Sequence, residues 1–202
     1  MEASPIKAEI NKERNKDYDN LSVITGNLDA IDSAEKFDYI TLIGSLEESS
    51  LYVDGEPADE KLLEKAKALL NPEGKIIIAV ENKYGIKYWA GAQDSHFGQL
   101  FSGITGQENI GNYYTFSKNS LDTLITKVGF GEIMYYYPIP DYKTPLEIYS
   151  MNNIPKSGEI MENSPSYDKE RYLLFDEGAA LSSLCRDGKF EQFANSFLII
   201  TR

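Results

Sequence analysis

Hydrophobic and polar positions along the chain follow two alternating periods. The near-continuous apolar runs at 37–44 and 75–80 are typical of strands buried in a parallel sheet. Between them, apolar residues recur at helical spacing over 62–70, and an Asn-Pro-Glu-Gly stop signal follows. This order of strand, helix and strand predicts an α/β fold with right-handed crossovers.

Capping residues and chain breakers mark further elements. Ser4 and Pro5 predict the start of an N-terminal helix, and Ser117 predicts the start of a later helix that Gly129 ends. Periodicity predicts one more helix over 176–186 and strands over 21–25, 132–137 and 195–201. No helix suited to a parallel crossover joins the last two of these strands, so we expect them to pair antiparallel.

Two stretches of the chain have no clear period. Residues 82–114 are rich in glycine, aromatic residues and amides, and residues 141–170 carry prolines and serines in quick succession. A loop this long inside a compact domain is usually functional or contains short helices of its own. The sequence therefore predicts a single domain over 1–202, with irregular insertions at about 82–114 and 141–170.

Composition narrows the classes of protein and partner. The net charge of −12 excludes a nucleic-acid partner, because phosphate binding needs a basic surface. The apolar runs are too short to cross a membrane, and the N-terminus lacks the features of a secretory signal. Cys185 is the only cysteine and His96 the only histidine, so no metal site is expected. We expect a cytoplasmic protein.

Three short motifs follow one another in a recognisable order. Residues 37–47 read FDYITLIGSLE, residues 69–79 read LLNPEGKIIIA, and a Gly-Phe pair at 129–130 precedes a predicted strand. In this order and spacing they resemble the fourth, fifth and sixth strands, with their adjoining loops, of class I S-adenosylmethionine-dependent methyltransferases. The resemblance implies a Rossmann-like fold that binds S-adenosylmethionine as its cofactor.

A more specific resemblance covers nearly the whole chain. It is carried by residues 81–92 (ENKYGIKYWAGA), by Asp94, His96 and Gly98, by residues 136–142 (YYPIPDY) and by residues 195–198. These segments resemble methyltransferase domains found alongside glycosyltransferases in bacterial surface-polysaccharide proteins. The resemblance implies methyl transfer to a sugar or another glycoconjugate during polysaccharide biosynthesis.

The same resemblance leaves the upstream part of the fold without a counterpart. Residues 21–25 correspond to its third strand and Glu2 to the end of its second, whereas its first strand, glycine-rich loop and first helix are missing. The glycines at Gly103, Gly106 and Gly111 follow no predicted strand and open no predicted helix. We therefore expect a fragment truncated at its N-terminus, inactive as given, with weak or absent S-adenosylmethionine binding.

The missing strands also have a consequence for assembly. They would leave one flank of the strand at 38–43 without a neighbour, and unpaired backbone groups on an apolar strand are a template for pairing. We expect a homodimer through this exposed sheet edge. Closure of a shortened sheet within one chain is the alternative.

Ligands of open α/β sheets lie at the carboxyl ends of the strands. By resemblance, the candidate cofactor-binding residues are Glu2 for the ribose hydroxyls, Gly26 and Asn27 beside the adenine, and Gly44, Ser45 and Glu47 at the methionine end. An alternative is that the two turn glycines and Asn27 serve only the backbone conformation of their turns.

Methyl transfer to a hydroxyl needs a base that takes the proton. His96 suits this role near neutral pH, with Asp94 to orient it, and the strand-end carboxylate Glu81 is the second candidate. Candidate acceptor-binding residues are Asn82, Tyr84, Tyr88 and Trp89. A purely structural loop network remains the alternative for all of them. A non-catalytic Rossmann-like module that binds a partner protein or a carbohydrate is the alternative function.

Overall fold

The computed structural model describes residues 1–32, 34–96, 98–106, 113–165 and 170–202. These residues form one five-stranded sheet in the order β1-β2-β5-β3-β4. The strands are β1 (Phe37–Ile43), β2 (Leu70–Glu81), β3 (Ile133–Ile139), β4 (Glu147–Ser150) and β5 (Ser196–Thr201). The helices are α1 (Pro5–Arg14), α2 (Ala58–Ala68), α3 (Ile86–Trp89), α4 (Lys118–Lys127), α5 (Glu177–Arg186) and α6 (Phe190–Phe193).

The sheet is mixed. β1 pairs with β2 in parallel, and β5 lies between β2 and β3, antiparallel to both. The antiparallel pairing predicted for the strands at 132–137 and 195–201 is therefore confirmed. β4, which the sequence did not predict, pairs antiparallel with β3 inside the irregular stretch at 141–170. The mixed sheet with its crossover helices is the α/β Rossmann-like fold predicted from the sequence.

One hydrophobic core lies between the sheet and helices α2 and α4. Its fully buried members include Leu62, Leu63, Ala66, Ile76, Ile78, Leu121, Ile125, Phe197 and Ile199. The cap of α4 is the predicted one: Oγ of Ser117 accepts the N–H of Ser120, whose own hydroxyl accepts the N–H of Ser117. Because this core fixes both strands, the carboxyl ends of β1 and β2 are held side by side.

The N-terminal segment follows the predictions only in part. α1 begins after Ser4, whose side chain accepts the N–H of Lys7 as expected of an N-cap. The strand predicted over 21–25 is wrong, because only Thr25 pairs, through a single parallel bridge to Glu2. No described strand lies alongside to extend that bridge, so the apolar residues of this stretch remain largely exposed.

The irregular stretches contain local structure. Residues 82–114 include α3, as a loop of this length allowed, and residues 141–170 include β4. Gly111, together with the rest of 107–112 and with residues 97 and 166–169, lies outside the described residues. No helix in the described part of the chain has the length and hydrophobicity needed to span a bilayer.

Among the described residues, β1 has a strand on one side only, β2. Phe37, Tyr39 and Ile43 are 37%, 65% and 55% exposed. Alternate residues of a strand point to the same face, so these three share one face of β1. The strand therefore leaves both an edge and an apolar face uncovered.

Candidate functional site

Gly44 begins the loop after β1. Its φ of +69° lies in the left-handed region that favours glycine, and its N–H donates to the carbonyl of Ala79 at 2.8 Å. A Cβ here would lie 2.9 Å from the hydroxyl of Tyr142 and 3.9 Å from Oε2 of Glu47. The next residue, Ser45, is half-buried. Glycine thus lets this loop approach Tyr142 closely.

Glu47 reaches from the same loop onto the end of β2. Its side chain is buried, and Oε1 accepts the N–H of Glu81 at 3.0 Å. Burial, with the charge of Glu81 adding to it, raises the pKa of Glu47 above its ordinary value, although His96 opposes the shift. Its Oε2 is buried and has no hydrogen-bond partner among the described residues. A buried carboxylate oxygen without a hydrogen-bond partner is costly.

Glu81, at the end of β2, is surrounded by donors. Its Oε1 lies 2.9 Å from Nζ of Lys143 and 3.3 Å from Nζ of Lys87. Its Oε2 accepts the hydroxyls of Tyr88 and, at 2.7 Å, of Ser95. Burial opposes the charge, but the two ammonium groups and the hydrogen bonds outweigh it and hold the pKa of Glu81 well below its ordinary value.

His96 joins this cluster from the irregular stretch after α3. Its Nε2 lies 3.7 Å from Oε1 of Glu47, and its ring stacks on Tyr113 with centroids 4.8 Å apart. Burial lowers the pKa of His96, but the carboxylates of Glu47, Glu81 and Asp94 together raise it above its ordinary value. Asp94 accepts the backbone N–H of His96 at 2.9 Å, and the carboxylate of Glu47 lies beside Nε2 of the imidazole.

The residues predicted to bind ribose and adenine lie together at the N-terminal bridge. The N–H of Gly26 donates to the carbonyl of Glu2 at 3.2 Å, and Asn27 follows directly. The N–H of Leu28 donates to the carbonyl of Tyr52 at 2.8 Å. Burial and, after it, the charge of Glu2 raise the pKa of the Tyr52 phenol, so Glu2 lies near that side chain. This turn is therefore joined to the segment that follows β1.

Two of the four predicted acceptor-binding residues are buried, and their side chains are hydrogen-bonded to other parts of the protein. Asn82 is buried, and its side-chain amide donates to the carbonyls of Gln192 and Ala194 at 2.8 and 2.7 Å. These bonds tie the end of β2 to the chain that enters β5. Tyr88 is also buried, with its hydroxyl on Glu81.

The other two, Tyr84 and Trp89, are partly exposed and lie together. Both line a cavity of about 300 Å³ at the same edge of the sheet. The remaining lining comes from the start of α4 and the end of α6: Ser117, Lys118, Asn119, Gln192 and Phe193. The structure thus separates the predicted acceptor residues into a buried pair and a cavity-lining pair.

Sequence reasoning missed the cations of the site. Lys87 and Lys143 both neutralise Glu81, and Lys87 also lies 3.6 Å from Asp141. Tyr142, whose pKa is raised by burial and by nearby carboxylates, was quoted only as part of a motif. Lysines on irregular segments show no period, so nothing in the sequence indicated which carboxylate they would meet. Within the described ranges, no group of three or more His, Cys, Asp or Glu side chains could hold a metal ion.

The strand order, with β5 inserted antiparallel beside the parallel pair, defines a Rossmann-like α/β fold of the kind found in S-adenosylmethionine-dependent methyltransferase structures. The chain is similar to an S-adenosylmethionine-dependent methyltransferase of Thermotoga maritima, with 16% identity, a TM-score of 0.51, and coverage of 98% of this chain and 69% of that one.

Two further structures share the fold. One is from the complex between a methyltransferase activator of Haloferax volcanii and a methyltransferase, with 16% identity, a TM-score of 0.53, and coverage of 98% of this chain and 68% of that one. The other is a methyltransferase of Clostridium acetobutylicum, with 9% identity, a TM-score of 0.50, and coverage of 98% and 72%. No protein-family model and no curated protein matches the sequence.

Proposed function

We propose that the chain is an S-adenosylmethionine-dependent methyltransferase domain that acts on a hydroxyl of a sugar or glycoconjugate in polysaccharide biosynthesis. The observation that carries the proposal is the meeting of Gly44, Glu47, Glu81 and His96 at the carboxyl ends of β1 and β2. This edge is where ligands of open α/β sheets bind. The structures that share the fold are methyltransferases, which supports the choice of chemistry.

The residues at this edge fit part of S-adenosylmethionine. The buried, unpartnered Oε2 of Glu47 suits the ammonium of the methionine end, and Gly44 and Ser45 belong to the same loop. Glu2, Gly26 and Asn27 would hold the ribose and adenine. When bound, the cofactor supplies an electrophilic methyl group. Because the described residues contain no glycine-rich turn between a strand and a helix, we expect weak or absent binding and no turnover by this chain alone.

The geometry favours His96 over Glu81 as the base. Glu81 is saturated by two ammonium groups and two hydroxyls, and a carboxylate with so low a pKa is a poor acceptor of a proton. His96 is partly exposed, and Glu47 beside it would stabilise the imidazolium that forms. Asp94 would position the backbone of His96. The role of Glu81 is then to order Lys87 and Lys143 around the site.

Cofactor binding is tested through the single histidine. In a titration with S-adenosylmethionine, the imidazole proton signal of His96 is followed by NMR, with ATP as the control nucleotide. We expect weak, saturable shifts that S-adenosylhomocysteine competes away and ATP does not produce. Micromolar affinity would contradict the expected weakness, and an equal saturable shift with ATP would contradict the methyltransferase assignment.

A non-catalytic module that binds a carbohydrate or a partner protein is the second candidate. The cavity lined by Tyr84 and Trp89 favours it, because exposed aromatic rings can bind a ligand without any cofactor. Saccharide binding with no response to S-adenosylmethionine would select this candidate. We further propose a cytoplasmic location and a homodimer formed through the uncovered edge of β1.

A further inference from the structure

The cavity between α3, the start of α4 and the end of α6 lies apart from the carboxylate cluster. Consecutive residues of α3 serve the two places: Tyr88 bonds Glu81, whereas Trp89 lines the cavity beside Phe193. The methyltransferase chemistry proposed above uses the first place and leaves the second unassigned.

Three aromatic side chains dominate the cavity. Trp89 is 40% exposed and Tyr84 36% exposed. The ring of Phe193 lies 6.5 Å from that of Trp89, tilted by 53°. The electron-rich face of an aromatic ring attracts groups with a partial positive charge, such as the C–H groups on the apolar face of a sugar.

The polar part of the lining consists of amides at the rim. Asn119 and Gln192 are exposed and each offers both donors and acceptors, which suits a ring of hydroxyl groups. Among the described lining residues Lys118 is the one cation, and it is paired with Asp122 at 3.2 Å and lies over the ring of Tyr135. Lys83, outside the lining, lies 5.3 Å from the ring of Tyr84, and no described lining residue is acidic. The chemistry therefore favours a neutral polyhydroxyl ring over an anion.

The size of the cavity agrees with this class of ligand. Its volume of about 300 Å³ stands at the lower end of small-molecule sites, which span roughly 300–1,000 Å³. Such a cavity suits one ring and leaves the rest of a chain of sugars in solvent.

We infer that this cavity binds one neutral sugar ring of a glycan, stacked on Trp89 and Tyr84 and hydrogen-bonded by Asn119 and Gln192. The inference rests on the proposed function for the glycan itself, and it adds a subsite that holds a ring other than the methylated one. Both places adjoin α3, since Tyr88 bonds Glu81 and the next residue, Trp89, lines the cavity.

Trp89 is the only tryptophan of the chain, so its fluorescence reports on the cavity alone. We would titrate the full chain, without cofactor, with methyl glucoside, methyl galactoside, methyl N-acetylglucosaminide, methyl glucuronide and maltotetraose. The expected result is a saturable change in emission with at least one neutral saccharide. Because each hydrogen bond contributes about 0.5–1.5 kcal/mol, Gln192→Ala and Asn119→Ala should each weaken the affinity for that saccharide roughly 2- to 12-fold.

The matched control is Tyr172→Ala, which removes an 84% exposed aromatic ring outside the cavity and should leave the affinity unchanged. No saturable change with any of these saccharides, in a chain folded by circular dichroism, would overturn the inference. The same titration would include a phenylalanine-rich peptide that lacks tryptophan. A change in emission with this peptide and with no saccharide would overturn the inference and assign the cavity to a protein partner. Preference for the glucuronide would overturn the neutral-ring assignment. None of these results depends on methyl transfer.

Discussion

The backbone N–H of Glu81 donates to the carboxyl group of Glu47, yet the pKa values of the two carboxyl groups are shifted in opposite directions. Burial raises the pKa of Glu47, which has one unpartnered oxygen, whereas Lys87 and Lys143 overcome burial and lower the pKa of Glu81. Environment alone thus gives two like residues different roles. Glu81 is a fixed anion that orders its surroundings, whereas Glu47 keeps one oxygen without a hydrogen-bond partner among the described residues.

Glu81→Gln tests the structural role of that anion. The change leaves the buried ammonium of Lys87 with Asp141, at 3.6 Å, as its remaining carboxylate, so we expect a loss of about 1.5–3 kcal/mol in the free energy of unfolding. Because the pKa of Glu81 is lowered in the folded state, its charge contributes stability at pH values above the ordinary glutamate pKa of about 4.3. This contribution is lost as pH falls through the folded-state pKa. The gap between wild type and variant in urea unfolding should therefore narrow only in strong acid.

Glu73→Gln is the matched control for this variant. Its side chain is 88% exposed and meets only Arg202, at 3.4 Å, so the change should cost under about 1 kcal/mol. Equal losses in the two variants would remove the structural role assigned to Glu81.

The pKa of His96 can be read directly, since no other histidine contributes a signal. We expect an NMR titration to place it above the ordinary value of about 6.5, and Glu47→Gln to lower it. A raised pKa adds stability that is complete below about pH 6.5 and disappears as pH rises through the folded-state value. A pKa unmoved by Glu47→Gln would show that Glu47 does not act on the imidazole.

Gly44→Ala tests the close approach of the loop to Tyr142. The left-handed backbone itself costs an alanine about 1–2 kcal/mol, and contact with the Tyr142 hydroxyl adds to that cost. Gly188→Ala is the matched control, because Gly188 has a φ of +63° and nothing within 4 Å of a Cβ. In urea unfolding, Gly44→Ala should lower the free energy of unfolding more than Gly188→Ala does. Equal losses in the two variants would mean that Tyr142 moves away without cost.

At the residue scale, the sequence predicted the location of the site in the sheet better than the contacts between its charged side chains. Order along the chain places Gly44 and Glu81 after their strands, because an apolar run and a turn glycine are local signals. Asp94, expected to orient His96, bonds its backbone N–H, whereas Glu47, whose carboxylate lies 3.7 Å from the imidazole, is 49 positions away from His96 in the sequence. Which carboxylate meets which cation depends on the fold, and no local pattern encodes it.

At the scale of elements, helices were predicted most closely, since caps and periodicity are local. The structure places the cap of α5 at Asp176, whose side chain accepts the N–H of Ala179. The segment at 21–25 has the composition of a strand but lacks a described neighbour, and composition cannot supply one. β4 is only four residues long and forms because β3 offers it an edge.

The irregular chain before α5 is held by a buried ion pair. Arg171 contacts Glu177 and donates to the carbonyls of Ser164 and Lys87, and the two charged side chains are 8% and 1% exposed. Arg171→Met should cost about 3–5 kcal/mol in urea unfolding, because it leaves Glu177 buried and unpaired. Arg186→Met, at an exposed arginine that bonds Ser157, should cost far less. Similar costs would mean that solvent reaches Glu177.

At the scale of the whole molecule, β1 leaves one edge and one apolar face of the described sheet uncovered. We expect light scattering to detect a homodimer that tightens as salt is added, because two copies of charge −12 repel each other. Tyr39→Asp should shift the population to monomer, whereas Leu146→Asp, at an 80% exposed position away from β1, should not. A monomer at all concentrations and salt conditions would contradict the dimer.

The position of β5 has a consequence for how the chain reaches its fold. β5 follows every other described strand along the chain, yet it lies between β2 and β3 and buries Phe197 and Ile199 in the core. During synthesis, β1 and β2 therefore leave the ribosome long before the strand that joins them to β3 and β4. Until β5 inserts, the nascent chain exposes two separate pieces of sheet, each with an apolar edge, and its dependence on chaperones should be greatest in that interval.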